Sequence, residues 1–133
     1  MPVKSSPNLM RLAMIESPYR GERKRNLLYL HRLIRHITLE LNYAPYASHL
    51  MMTTALDDNL AAERAMGIMA GFAWSHRADA AFFGLDYGIS SGMRAARDYY
   101  DSIGLECYDL HIGVNDDAEQ DPETEAHHGG SGP

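Results

Sequence analysis

Along residues 9–110, short continuous apolar runs alternate with stretches in which apolar residues recur every three or four positions. Runs of the first kind, bounded by turn residues, suit buried strands, and the second spacing suits amphipathic helices. Leu9 to Ile15 is such a run, closed by Glu16-Ser17-Pro18. From Glu22 to Leu41 the positions Leu27, Leu30, Ile34, Ile37 and Leu41 keep helical spacing between Arg23, Lys24, Arg25, Arg32 and Arg35, which predicts a helix with its apolar stripe on those five residues. Pro45 limits the next segment to a short strand ending near Tyr46, with Ser48 and His49 in the loop beyond. Asp57-Asp58-Asn59 offers capping side chains to a helix over Leu60–His76.

That helix carries Ala, Met and Gly on several faces, so burial on more than one side is expected. Gly67 and Gly71, four apart and set among Met66, Met69, Phe72 and Trp74, predict a close helix contact, inside the domain rather than between subunits. Asp79–Gly84 reads as a third strand, Ser91–Ile103 as a third helix stopped by Gly104, and Leu105–Leu110 as a fourth strand. Strands separated by helices form a parallel sheet, because parallel neighbours need a crossover. The expectation is a small α/β domain over residues 9–113, a Rossmann-like (flavodoxin-like) doubly wound parallel sheet of four to five strands with helices on both faces.

Composition changes this picture mainly at the ends. Residues 1–8 read as a loose leader and 114–133 as a disordered acidic tail. Of the net charge of −6, six acids lie between Asp116 and Glu125, leaving twelve acids against twelve basic residues in the body. A neutral body without a basic stripe speaks against a duplex nucleic-acid partner. No run reaches the length of a membrane span and no signal-peptide core is present, so the cytoplasm is the expected location. Cys107, the single cysteine, is expected as a buried core thiol. His127 and His128 lie adjacent in a Gly-rich stretch without converging ligands, so no metal site is expected there, and no cofactor.

The candidate chemistry lies in two loops that a parallel sheet brings to one edge. Glu16-Ser17-Pro18-Tyr19-Arg20-Gly21 follows the first strand, and Leu85-Asp86-Tyr87-Gly88-Ile89-Ser90-Ser91-Gly92 follows the third. Both open into helices, whose free N–H groups attract anions. Ser90, Ser91 and Gly92 suit a phosphate seat, and equally a helix cap and a turn. Arg20 suits a phosphate or carboxylate partner and Tyr19 a base or sugar, although Pro18-Tyr19-Arg20-Gly21 also suits a plain turn. Asp86 suits a sugar hydroxyl or a leaving base, or the stabilisation of its own turn. Asp57 and Asp58 are open in a similar way, since both suit caps of the second helix, and His49, near the same strand edge, suits a ligand contact, although a lone His beside a loop is more often structural.

A first strand running into Ser-Pro-Tyr-Arg-Gly, an Asp-bearing strand over Asp79–Gly84, and then Asp-x-Gly-Ile-Ser-x-Gly-Met together resemble the nucleoside 2-deoxyribosyltransferase-like superfamily, above all its small bacterial and phage domains. The resemblance covers residues 9–110. It implies cleavage of the N-glycosidic bond of deoxynucleosides or their monophosphates, with a glutamate attacking the anomeric carbon. In the pattern Ser-x-Gly-x-x-x-Glu, Ser90 and Gly92 match, followed by Met93, and the glutamate position holds Ala96. Asp98, two residues on, faces another side of the helix. The resemblance thus implies an inactivated or engineered N-glycosidase, or a natural module that binds or sequesters a nucleotide or nucleotide-derived signal. It also implies a homodimer or larger homo-oligomer.

Overall fold

The apolar runs pair as strands in the computed structural model, which describes residues 9–114. The expectations for the leader and for the tail past Val114, including His127 and His128, fall outside the described residues. Strands β1 (Arg11–Glu16), β2 (Tyr43–Tyr46), β3 (Ala80–Gly84) and β4 (Cys107–Leu110) form one all-parallel sheet in the order β2-β1-β3-β4. Helices α1 (Arg23–Arg35), α2 (Ser48–Ala55), α3 (Ala61–Ser75) and α4 (Ser91–Ser102) occupy the connections.

Side chains alternate across the two central strands, as a period of two requires. Ala13, Ile15, Ala80 and Phe82 pack with Tyr29, Leu30, Leu33 and Ile37 of α1 and its extension. Met14, Ala81 and Phe83 pack on the other face with Met93, Ala96 and Tyr100 of α4. The sheet is therefore doubly wound and Rossmann-like, with helices on both faces. The chain leaves β1 for β2 on one side and β3 for β4 on the other, so the strand order reverses between β1 and β3. In open α/β sheets the crevice beyond the strand ends at such a reversal is where ligands sit.

Several expectations shift. β1 extends through Glu16, which pairs with Phe83, so this residue belongs to the strand and not to the turn. The buried stripe of α1 is Asn26, Tyr29, Leu30 and Leu33, continuing to Ile37, whereas Leu27 is exposed. The last turn of the predicted helix, His36–Glu40, is π-helical, closed by Leu41 N–H donating to the His36 carbonyl at 3.2 Å. Gly84 lets α1 come this close: a Cβ there would stand 2.5 Å from Leu33 Cδ1 and 2.8 Å from the Tyr29 hydroxyl.

Ser48 and His49 do not lie in a loop; they begin α2, a helix that the sequence pattern does not predict. All eight of its residues are exposed or half-buried, so no apolar stripe marks it. Gly67 and Gly71 of α3 make their close contact with this helix, against Met52 and Ser48, inside the domain as expected. The rest of α3 departs from expectation. Met66, Ile68, Met69 and Trp74 are exposed, because α3 is covered by α2 and, through Phe72 and His76 on Tyr99, by α4, and these four side chains stay outside both contacts. Its N-cap is Leu60, without a side-chain cap; Asp57 instead accepts from Asn59 N–H at 3.0 Å, and its own N–H donates to Glu63 at 2.7 Å. Cys107 is half-buried rather than a core thiol, since β4 is an edge strand.

Candidate functional site

The first loop takes its shape from a residue inside α1. Asn26 is buried, and its side-chain amide donates to the carbonyls of Tyr19 and Arg20 at 3.1 and 3.2 Å. Gly21 closes the loop at φ +88°, a conformation that disfavours any side chain. The second loop turns at Gly88, also at φ +88°, and delivers Ser90 as the cap of α4. The Ser90 hydroxyl accepts from Met93 N–H at 3.2 Å, so capping is one of its tasks.

These loops, α2, α3 and α4 enclose a cavity of about 310 Å³ beyond the ends of β1 and β3. Ser17, Pro18, Tyr19 and Arg20 line it from the first loop, His49 from α2, and Ser90, Ser91, Gly92, Met93 and Ala96 from the start of α4. Gly21, Gly88 and Asp86 do not. The two glycines shape the backbone behind the cavity. Asp86 accepts from the Tyr29 hydroxyl at 2.5 Å and from the N–H groups of Ile112 and Gly113 at 3.0 and 2.9 Å, tying α1 to the segment after β4.

Glu16 is the wall residue that the sequence reading passed over. It ends β1 and reaches the cavity, where the Tyr100 hydroxyl donates to its Oε2 at 2.5 Å. Burial pushes its carboxyl up to about 7, and the bond from Tyr100 offsets only part of this. Tyr100 itself is raised by burial and by the neighbouring carboxyl. Ala96 stands one helical turn before Tyr100 on the same buried face of α4. The signal available in the sequence was position: a lone acid closing an apolar strand at the sheet edge where ligands bind.

Beside Glu16, the Ser17 hydroxyl lies 3.0 Å from His49 Nε2. Burial lowers His49 to about 4, so the ring is neutral near pH 7, and its Nδ1 is buried without a hydrogen-bond partner among the described residues. At the mouth, Asp58 is flanked by Arg20 at 3.6 Å and Arg64 at 3.5 Å. Arg20 is thus paired with Asp58 while its side chain stays half exposed to solvent. Asp98 is exposed and away from the cavity.

A family model, described as a domain of unknown function (DUF7768), matches residues 11–108. The chain belongs to the DUF7768 family. No curated protein and no solved structure matches it. The DUF7768 span opens on the first residue of β1 and closes within β4, so every residue lining the cavity falls inside it.

Among the described residues of this DUF7768 domain, no group of three or more His, Cys, Asp or Glu side chains could hold a metal ion. No helix among them is long and apolar enough to cross a membrane. Besides the charged residues Asp58, Glu63, Arg20 and Arg64, the cavity offers the Glu16 carboxyl, pushed up to about 7 by burial, the neutral His49 imidazole, and serine hydroxyls at a helix start.

Proposed function

We propose that this domain binds a nucleoside, a nucleotide or a nucleotide-derived small molecule in the cavity beyond β1 and β3. The observation that carries the reading is convergence: two loops whose lining residues lie 70 to 75 positions apart in the chain, together with His49, line a single cavity at the point where the strand order reverses. A volume of about 310 Å³ suits a ligand of nucleoside size. The start of α4, with Ser91 and Gly92 exposed, supports a phosphate there, and the base or sugar would then lie deeper, toward Glu16 and Tyr100.

The resemblance to the nucleoside 2-deoxyribosyltransferase-like superfamily supports N-glycosidic cleavage as the chemistry of a complete site. Ala96 occupies the position of the attacking glutamate and presents only a methyl group, which forms no glycosyl-enzyme. The chain as it stands is therefore read as a binder, either a disabled glycosidase or a natural capture module. A homodimer or larger assembly belongs to the same proposal, and the exposed Met66 and Met69 on α3 support it.

The test compares the chain with Ala96→Glu, using deoxynucleosides and their monophosphates, with calorimetry for binding and chromatography for released base. Binding by both proteins and base release by the variant alone places the chain in a glycosidase line. Binding without release by either favours capture, and no binding by either overturns the reading. A melting curve for the variant belongs with the test, because Ala96 is buried.

A further inference from the structure

Glu16 has an uncommon setting for a carboxyl. It ends a central strand at the reversal point, lies on the cavity wall, and is held from one side by a buried tyrosine. With Oε2 accepting from Tyr100, Oε1 has no hydrogen-bond partner among the described residues. No cation among the described residues pairs with the carboxyl: the arginines that line the cavity, Arg20 and Arg64, engage Asp58 at the rim. A structural carboxylate in a protein interior would be expected to have such a cation or a set of N–H donors. Glu16 has neither.

We propose that Glu16 reads the ligand, donating a hydrogen bond from its carboxyl Oε1 to an acceptor on the bound molecule, a ring nitrogen or carbonyl oxygen of a heterocycle, with Tyr100 as its positioning residue. This deepens the nucleotide reading above and rests on it. The geometry fixes the division of labour: the tyrosine occupies one oxygen, so the proton resides on the other, the one left for the ligand. The Ser17–His49 pair beside it is neutral at this pH and does not compete for the proton.

Ligand uptake is then coupled to a proton. The titratable groups around the carboxyl are Tyr100 from α4, His49 from α2 and Cys107 from β4, with Asp58, Glu63 and Arg64 farther out at the cavity rim. Tyr100 and Cys107 are pushed upward by burial and remain protonated near neutrality, and His49 is already neutral, so Glu16 is the group that changes charge as pH rises past about 7. Binding that requires its protonated form weakens roughly 30-fold from about pH 6 to about pH 8.5.

Calorimetric titration of the full chain with the four 2′-deoxynucleoside 5′-monophosphates over that range, beside Glu16→Gln and Tyr100→Phe, tests this. The phosphate also titrates here, but identically for all three proteins. The wild-type chain is expected to lose affinity steeply with pH. Glu16→Gln, which keeps a donor that does not titrate, is expected to bind with only the residual slope of the phosphate. Tyr100→Phe removes the bond that favours the ionised carboxyl, so its affinity should persist to higher pH, an upward shift that a merely structural tyrosine would not produce. Carbon-13 NMR of the Glu16 carboxyl in the wild-type chain gives a readout that needs no variant: its titration midpoint should rise when a monophosphate is bound.

Equal pH profiles for the wild-type chain and Glu16→Gln, or an unmoved carboxyl midpoint, overturn the assignment to Glu16 and leave the nucleotide reading standing. Absence of binding by the wild-type chain at every pH overturns both.

Discussion

Tyr29 and Asp86, 57 residues apart, hold each other twice: the phenol donates to Oδ1 at 2.5 Å, and the Asp86 N–H donates back to the phenol oxygen at 2.9 Å. Tyr29 is fully buried, so neither bond is readily replaced by water. Tyr29→Phe should therefore cost about 1–3 kcal/mol, the usual penalty for leaving buried partners unpaired. Ligand affinity should be nearly unchanged, because neither residue lines the cavity. Denaturant melts set against calorimetric binding check both halves.

Asp86 adds a pH signature. Burial pushes its carboxyl up, but the bonds from Tyr29, Ile112 and Gly113 outweigh this and hold it below the ordinary aspartate range. The stability it contributes is present above that ordinary value and is lost as pH falls through the lowered one. Thermal melts below about pH 4 should show an acid limb that is shallower in Asp86→Asn.

Glu16 works in the opposite direction. Its folded-state value, about 7, lies above the ordinary 4.5. Its contribution is fully present below pH 4.5 and is lost as pH rises through about 7, a loss of up to about 3 kcal/mol. Glu16→Gln should abolish that loss, so its melting temperature should exceed that of the wild-type chain increasingly from about pH 5 to pH 8.

His49 supplies the counterpart. Burial depresses it from 6.5 to about 4, so its contribution is present above pH 6.5 and disappears as pH falls through about 4. Melts of Glu16→Gln should therefore expose a rise in stability from about pH 4 to pH 6.5 that the wild-type chain partly hides, and adding His49→Gln should flatten it.

Gly84→Ala tests the packing of α1 on the sheet. The new methyl would meet Leu33 Cδ1 and the Tyr29 hydroxyl, both within 3 Å and both buried. Displacing them should cost about 1–3 kcal/mol in chemical denaturation, whereas Gly92→Ala, whose Cβ meets only the Ser90 hydroxyl at 4.0 Å, should cost far less.

The alternation of strands and helices was legible because periodicity is local: the apolar run over Ala80–Gly84 and the helical spacing after Glu22 carry their own signals. So was the convergence of the two loops, since a parallel sheet must bring the ends of β1 and β3 to one edge. Helix α2 was not legible, because its stability comes from seating Met52 and Ser48 against Gly67 and Gly71, and no face of Ser48–Ala55 is apolar enough to announce it. The rotation of the α1 stripe onto Tyr29 and Leu33 was hidden likewise, because several neighbouring positions of that helix are apolar and only contact with the sheet selects among them.

By itself, then, the sequence determined the doubly wound sheet and the two loops at its edge. Only the tertiary structure decided which of the two acids at the strand ends, Asp86 or Glu16, lines the cavity. Asp86 and Glu16 are both carboxyls near a strand end, and what separates them is what burial brings beside each. Asp86 gains a phenol and two backbone N–H groups that favour its charge. Glu16 gains a single phenol, from a residue 84 positions away, in a setting that disfavours it. Desolvation and hydrogen-bond partners belong to the folded surroundings, so residue type and spacing could not assign the two roles.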